Sequence, residues 1–106
     1  MFLPAEERSM SVVEVMTFRL RPGADEAEFL ELDRQVQTEF IPNHSGFLRR
    51  TTARAADGTW AVVTLWVAEE DAERSTVLAV DDPVMGAFMA CLEQTSLHTD
   101  RYHTLD

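Results

Sequence analysis

The segment that most constrains this chain is "WAVVTLWVA", Trp60–Ala68. A strand sends successive side chains to opposite faces. Trp60, Val62, Thr64 and Trp66 share one face, and Ala61, Val63, Leu65 and Val67 share the other. Both faces are apolar, which describes a central strand covered on both sides. "SVVEVMTFRL", Ser11–Leu20, reads similarly, with Val13 and Val15 on one side and Val12, Met16 and Phe18 on the other. Its exception is Glu14. A buried carboxylate is costly unless paired, so Glu14 needs a partner or a task.

Between and after these strands the pattern changes period. After "RPG", Asp25 is a suitable N-cap with Glu28 three residues on, the capping-box spacing. Phe29, Leu32, Val36 and Phe40 then repeat on one helical face, widened by Leu30 and Ile41, until Pro42 and "NHSG" stop the helix. Phe47–Ala55 carries Arg49, Arg50 and Arg54, a charge density suited to an edge strand. Asp57-Gly58 marks a hairpin into Trp60–Ala68. "EEDAERSTVLAV" and "DDPVMGAFMACLEQ" form a broken helix, restarted by Asp82 as N-cap and Pro83 at the first helical position, with Val84, Phe88 and Cys91 or Leu92 inward. "LHTDRYHTL" is a short last strand. The order is β-α-β-β-α-β. It predicts an α+β, ferredoxin-like antiparallel sheet with helices on one face. That leaves the second apolar face uncovered. The simplest cover is a second copy, so the expectation is a homodimer whose sheets pack into a shared barrel.

The chain of 106 residues fits one domain, 11–106, preceded by a flexible arm of polar, aperiodic residues 1–10, with Met10 a natural start for the domain. No basic segment leads into an apolar one at the N-terminus and no apolar run is long enough to span a bilayer, so the default location is cytoplasmic. The net charge of −10 argues against nucleic acid and against anionic membranes. The acids gather at "ADEAEFLE", "AEEDAE" and "VDDP", helix starts and outer faces where the dipole favours them. All nine basic residues are arginine. The single cysteine, Cys91, has no disulfide partner and reads as a small buried hydrophobe.

"VVEVMTFRLRPG", the amphipathic helix, "PNHSGFLRR" and "WAVVTLWVAEEDA" together resemble the dimeric α+β barrel proteins of the antibiotic biosynthesis monooxygenase type. The likeness covers roughly Met10–Asp106. It implies a pocket between helices and sheet in each subunit. The functions it leaves open are cofactor-independent oxygenation of aromatic or polyketide-like molecules, a non-catalytic dimeric module that binds a small apolar ligand or has only a structural role, and, third, haem binding or degradation.

Glu14 has two readings. It is a pocket base or substrate anchor, or it pairs with Arg49, Arg50 or Arg101 and fixes register. His44, at the helix stop, is the second catalytic candidate, although a histidine at a helix C-terminus also suits the dipole. Trp66, Phe40, Gln37 and Tyr102 are the candidates for contacting substrate. Trp66 is preferred to Trp60 because it lies farther from the hairpin, and both also suit core positions. Thr17 and Thr64 are further polar groups for such a cavity, with strand propensity as the plainer explanation. His98 and His103, five apart on one strand, point to opposite faces and cannot share a metal. No metal-binding spacing, nucleophile elbow or phosphate-cradling loop is present, so no metal and no cofactor are expected.

Overall fold

The computed structural model describes residues 11–105; the arm expected at 1–10 lies outside them. The elements are β1 (Val12–Phe18), α1 (Glu26–Gln35), β2 (Phe47–Arg54), β3 (Trp60–Trp66), α2 (Glu69–Ala79), α3 (Pro83–Ala90) and β4 (His98–His103). The strands form one antiparallel sheet in the order β2-β3-β1-β4. β3 therefore lies between β1 and β2, and β2 is an edge, as the density of arginine predicts. The fold is α+β and ferredoxin-like.

Local chemistry sets the element ends. The Asp25 carboxylate accepts from Ala27 N at 2.9 Å and caps α1. Among the described residues Glu28 makes no bond back to Asp25, so the capping box is half formed. At its C-terminal end α1 widens into a π-helical turn, Val36–Phe40, closed by Ile41 N donating to the Val36 carbonyl at 3.0 Å. Asp82 caps α3 by accepting from Met85 N at 2.8 Å, with Pro83 inside the first turn. The β2–β3 hairpin turns at Gly58, whose φ of 90° suits glycine, and the Asp57 side chain accepts from Thr59 N.

The helix-facing side of the sheet holds the core. Phe18, Phe29, Trp60, Phe88, Val36, Val62, Cys91 and Leu92 form its main cluster. Phe29 sits amid three aromatic rings, Trp60, Phe88 and Phe18, with centroids 4.9–5.8 Å away. A second cluster, Val12, Ile41, Trp66 and Ala72, fills the end nearer the start of β1. Cys91 is buried in the main cluster and burial pushes its thiol up, so it is an inert packing group. On the other side of the sheet Val13, Val15, Thr17, Ala61, Val63 and Leu65 are only half-buried.

Candidate functional site

One feature of β2 decides which side chains reach the space between sheet and helices. Phe47 pairs with Trp66, but Arg49 pairs with the next residue, Leu65, so Leu48 is the extra residue of a bulge. Strict alternation from Phe47 would send Arg49 inward and Arg50 outward. The bulge reverses this. Arg50 turns toward the helices and is 7% exposed, while Arg49 is exposed.

The pairing register then lines up Arg101, Glu14, Thr64 and Arg50 side by side across all four strands. Neighbouring strands are about 4.8 Å apart, so the row is roughly 14 Å from end to end. All four residues line a cavity of about 620 Å³ between the sheet and the helices. Its remaining walls are largely apolar: Met16, Val62 and Trp66 from the sheet, Val36, Phe40 and Ile41 from α1 and its π turn, and Met85, Phe88 and Met89 from α3. A space of this size with one band of polar groups matches the usual anatomy of a small-molecule site.

Each charged member of the row has a fixed partner. Arg101 Nε donates to Glu14 Oε2 at 2.9 Å, and both side chains are about three-quarters or more buried. Of the arginines considered for Glu14, Arg101 is the one that meets it. Glu14 nonetheless lines the cavity, and its Oε1 accepts no hydrogen bond from any described residue, so pairing and pocket position coexist in one side chain. Arg50 donates through Nη2 to Asp33 at 2.8 Å and through Nη1 to Gln37 at 3.1 Å. Asp33 on α1 and Gln37 on the π turn that continues it are about one helical turn apart, which lets both reach the same guanidinium. Thr52 donates to the same Asp33 oxygen at 2.9 Å.

The other expected contacts divide. Phe40 and Trp66 line the cavity. Trp66 is 1% exposed, and its indole N–H has no acceptor among the described residues, which is unusual for a buried donor. Trp60 is a core residue, with Arg54 5.4 Å above its ring. Gln37 stands behind the wall as a partner of Arg50. Tyr102 does not reach the cavity: it pairs with Val13 on the helix-free side of the sheet and is 56% exposed. The reason is the register, which gives the inward places on β4 to Thr99, Arg101 and His103. Thr17 likewise lies on the outer side, opposite Ala61.

His44 does not line the cavity either, but it touches a residue that does. Its Nδ1 lies 2.8 Å from the Ser75 hydroxyl, and Ser75, on α2, is 7% exposed and forms part of the wall. The Phe40 ring meets the imidazole edge-on at 4.3 Å. Burial lowers the proton affinity of His44, against a smaller opposite effect of Asp82. Reading the sequence missed Ser75, because a serine within "EEDAERSTVLAV" carries no signal of its own. No group of three or more potential metal ligands occurs among the described residues. No helix there is long and apolar enough to cross a membrane.

Solved structures with the same architecture are numerous. A candidate antibiotic biosynthesis monooxygenase from Bordetella bronchiseptica superposes with a TM-score of 0.75 at 14% identity, covering 92% of this chain and 99% of that one. SnoaB, a cofactor-independent oxygenase from Streptomyces nogalater, gives 0.62 at 17% identity, over 92% and 93%. PA3566 from Pseudomonas aeruginosa gives 0.65 at 17% identity, over 92% and 97%. The fold is antibiotic biosynthesis monooxygenase-like. At these identities the likeness establishes the architecture. No protein-family model matches the sequence, and no curated protein matches it significantly.

Proposed function

We propose that this chain is a cofactor-independent monooxygenase of flat, acidic aromatic or polyketide-like molecules, acting as a homodimer. The observation that carries this reading is the cavity itself: apolar walls sized for a small polycyclic molecule, crossed by the row Arg101–Glu14–Thr64–Arg50. Its architecture is shared with SnoaB, a cofactor-independent oxygenase. In the proposed reaction the substrate supplies both electrons. Glu14 Oε1 takes a proton from an acidic CH₂ group, and the carbanion reduces dioxygen. One oxygen atom enters as a ketone, and the other leaves as water with the second CH₂ hydrogen and the proton that Glu14 gives back. The balance, CH₂ + O₂ → C=O + H₂O, needs no external reductant. The apolar walls keep bulk water from quenching the carbanion.

The homodimer rests on the half-buried sheet face. Val13, Val15, Ala61, Val63 and Leu65, with exposed Tyr102, form an apolar surface that a second copy of the sheet would cover.

One observation favours a second reading, a non-catalytic module that binds a small ligand: Arg101 already holds Glu14. Oxygen uptake with a hydroxyanthrone, a flat carbon acid, separates the two. Turnover that disappears in Glu14→Gln while the probe still binds supports the oxygenase. Binding with no oxygen uptake by the unaltered protein supports the second reading.

A further inference from the structure

We propose that Ser75 and His44 form a proton relay through the cavity wall, which ionises an acidic O–H of the bound ligand on the α2 side. The proposal rests on the reading of the cavity as the ligand site and adds a second acid–base station to it. Glu14 projects from the sheet, whereas Ser75 is on α2, so the two address different protons of one ligand.

The arrangement suits a relay. A serine hydroxyl both donates and accepts, so it passes a proton on without ever holding a charge. Ser75 is the part of the pair that lines the cavity; His44 stands behind it at 2.8 Å. The Pro42 stop fixes the segment carrying His44, and His44 N donates to the Ile41 carbonyl at 3.0 Å. The Phe40 ring limits imidazole rotation. Burial favours neutral imidazole, and in the tautomer with its proton on Nε2 the Nδ1 lone pair accepts from the Ser75 hydroxyl. The charged groups around the pair are Asp82 at the cap of α3 and, one turn before Ser75 on α2, Asp71, which Arg74 neutralises at 3.0 Å. Asp82 is placed to stabilise an imidazolium once it forms.

The step conserves its atoms. A ligand O–H gives its proton to Ser75 Oγ as the Ser75 proton passes to His44 Nδ1. The products are a ligand oxyanion, an unchanged serine and an imidazolium, and the resulting electron-rich ring is easier for dioxygen to oxidise.

The test uses histidine-¹⁵N-labelled protein and 2-hydroxyanthraquinone, whose visible spectrum reports its ionisation. The His44 signals are assigned with His44→Gln. Without dye, the relay requires His44 Nδ1 to be the unprotonated nitrogen. With dye, the bound phenol ionises at a lower pH than free dye, and the same change raises the proton affinity of His44. Ser75→Ala moves the ionisation of the bound dye up by about one pH unit, a tenfold change in the ionised ratio, and weakens binding of the ionised dye relative to the neutral dye by the same factor. Ser75→Thr restores it. A merely structural Ser75 would alter stability and leave the dye's ionisation where it was, which overturns the relay. A resting His44 with the proton on Nδ1 overturns the relay alone. Failure of the unaltered protein to take up dye contradicts the ligand cavity, and the relay falls with it.

Discussion

The pair Arg50–Asp33 yields a prediction whose magnitude follows from burial. The Arg50 side chain is 3% exposed and that of Asp33 15%. Removing the carboxylate and removing the guanidinium are therefore unequal changes. Asp33→Asn leaves a permanently charged guanidinium enclosed beneath α1 with Gln37, Thr52 and the Phe88 ring near it but no countercharge paired to it. Arginine cannot escape by losing its proton, so the cost is that of a broken buried pair, about 3–5 kcal/mol. Arg50→Met leaves Asp33 nearer to water and still accepting from Thr52, while methionine fills much of the space of the arginine stem. Its cost is about 1–3 kcal/mol. Removing both charges together, as Asp33→Leu with Arg50→Met, is milder than Asp33→Asn alone. For a chain of this size, Asp33→Asn lowers Tm by roughly 12 °C or more. Urea and thermal unfolding at one fixed protein concentration measure all three. If Asp33→Asn costs less than Arg50→Met, the argument from burial is wrong.

Other predictions are more local. Gly46 has a φ of +77°, and an added Cβ would run into the Asp71 side chain, so Gly46→Ala destabilises by about 2 kcal/mol or more by urea unfolding. Gly86, in the interior of α3, has open space where a Cβ would stand, so Gly86→Ala stabilises by about 0.5–1 kcal/mol in the same assay. His44 binds protons less readily folded than unfolded. Its contribution to stability is therefore complete above the unfolded value near 6.5 and is lost as pH falls below it, and His44→Gln flattens that part of the stability–pH curve. Val63→Glu, in the middle of the helix-free sheet face, converts a dimer to monomer by sedimentation without loss of helix signal, whereas a protein already monomeric at micromolar concentration refutes the sheet-to-sheet pairing.

The sequence was informative where one local rule acted without competition. Asp25, Asp82 with Pro83, and Asp57-Gly58 mark their boundaries by hydrogen bonds to nearby backbone or by backbone conformation, and all three stand where the sequence puts them. The double-sided apolar pattern of Trp60–Ala68 likewise places β3 inside the sheet. The site was less legible because it depends on register. Which arginine enters the cavity is set by the bulge at Leu48, and nothing in "FLRRTTAR" announces an extra residue. Tyr102 falls outside for the same kind of reason, since one step along β4 exchanges the two faces. The π turn at Val36–Phe40 offsets the helical period where Phe40 and His44 are placed. Ser75 became visible only when α2 was laid against the segment after α1.

The most direct test of the central claim is a spectroscopic titration of 2-hydroxyanthraquinone against the unaltered protein and Gly86→Phe. Gly86 borders the cavity, and a side chain there projects into open space rather than into packed atoms. The account predicts saturable binding by the unaltered protein and at least a tenfold loss in a Gly86→Phe variant that remains folded. Equal binding by both proteins, or by neither, would contradict the assignment of this cavity as the functional site.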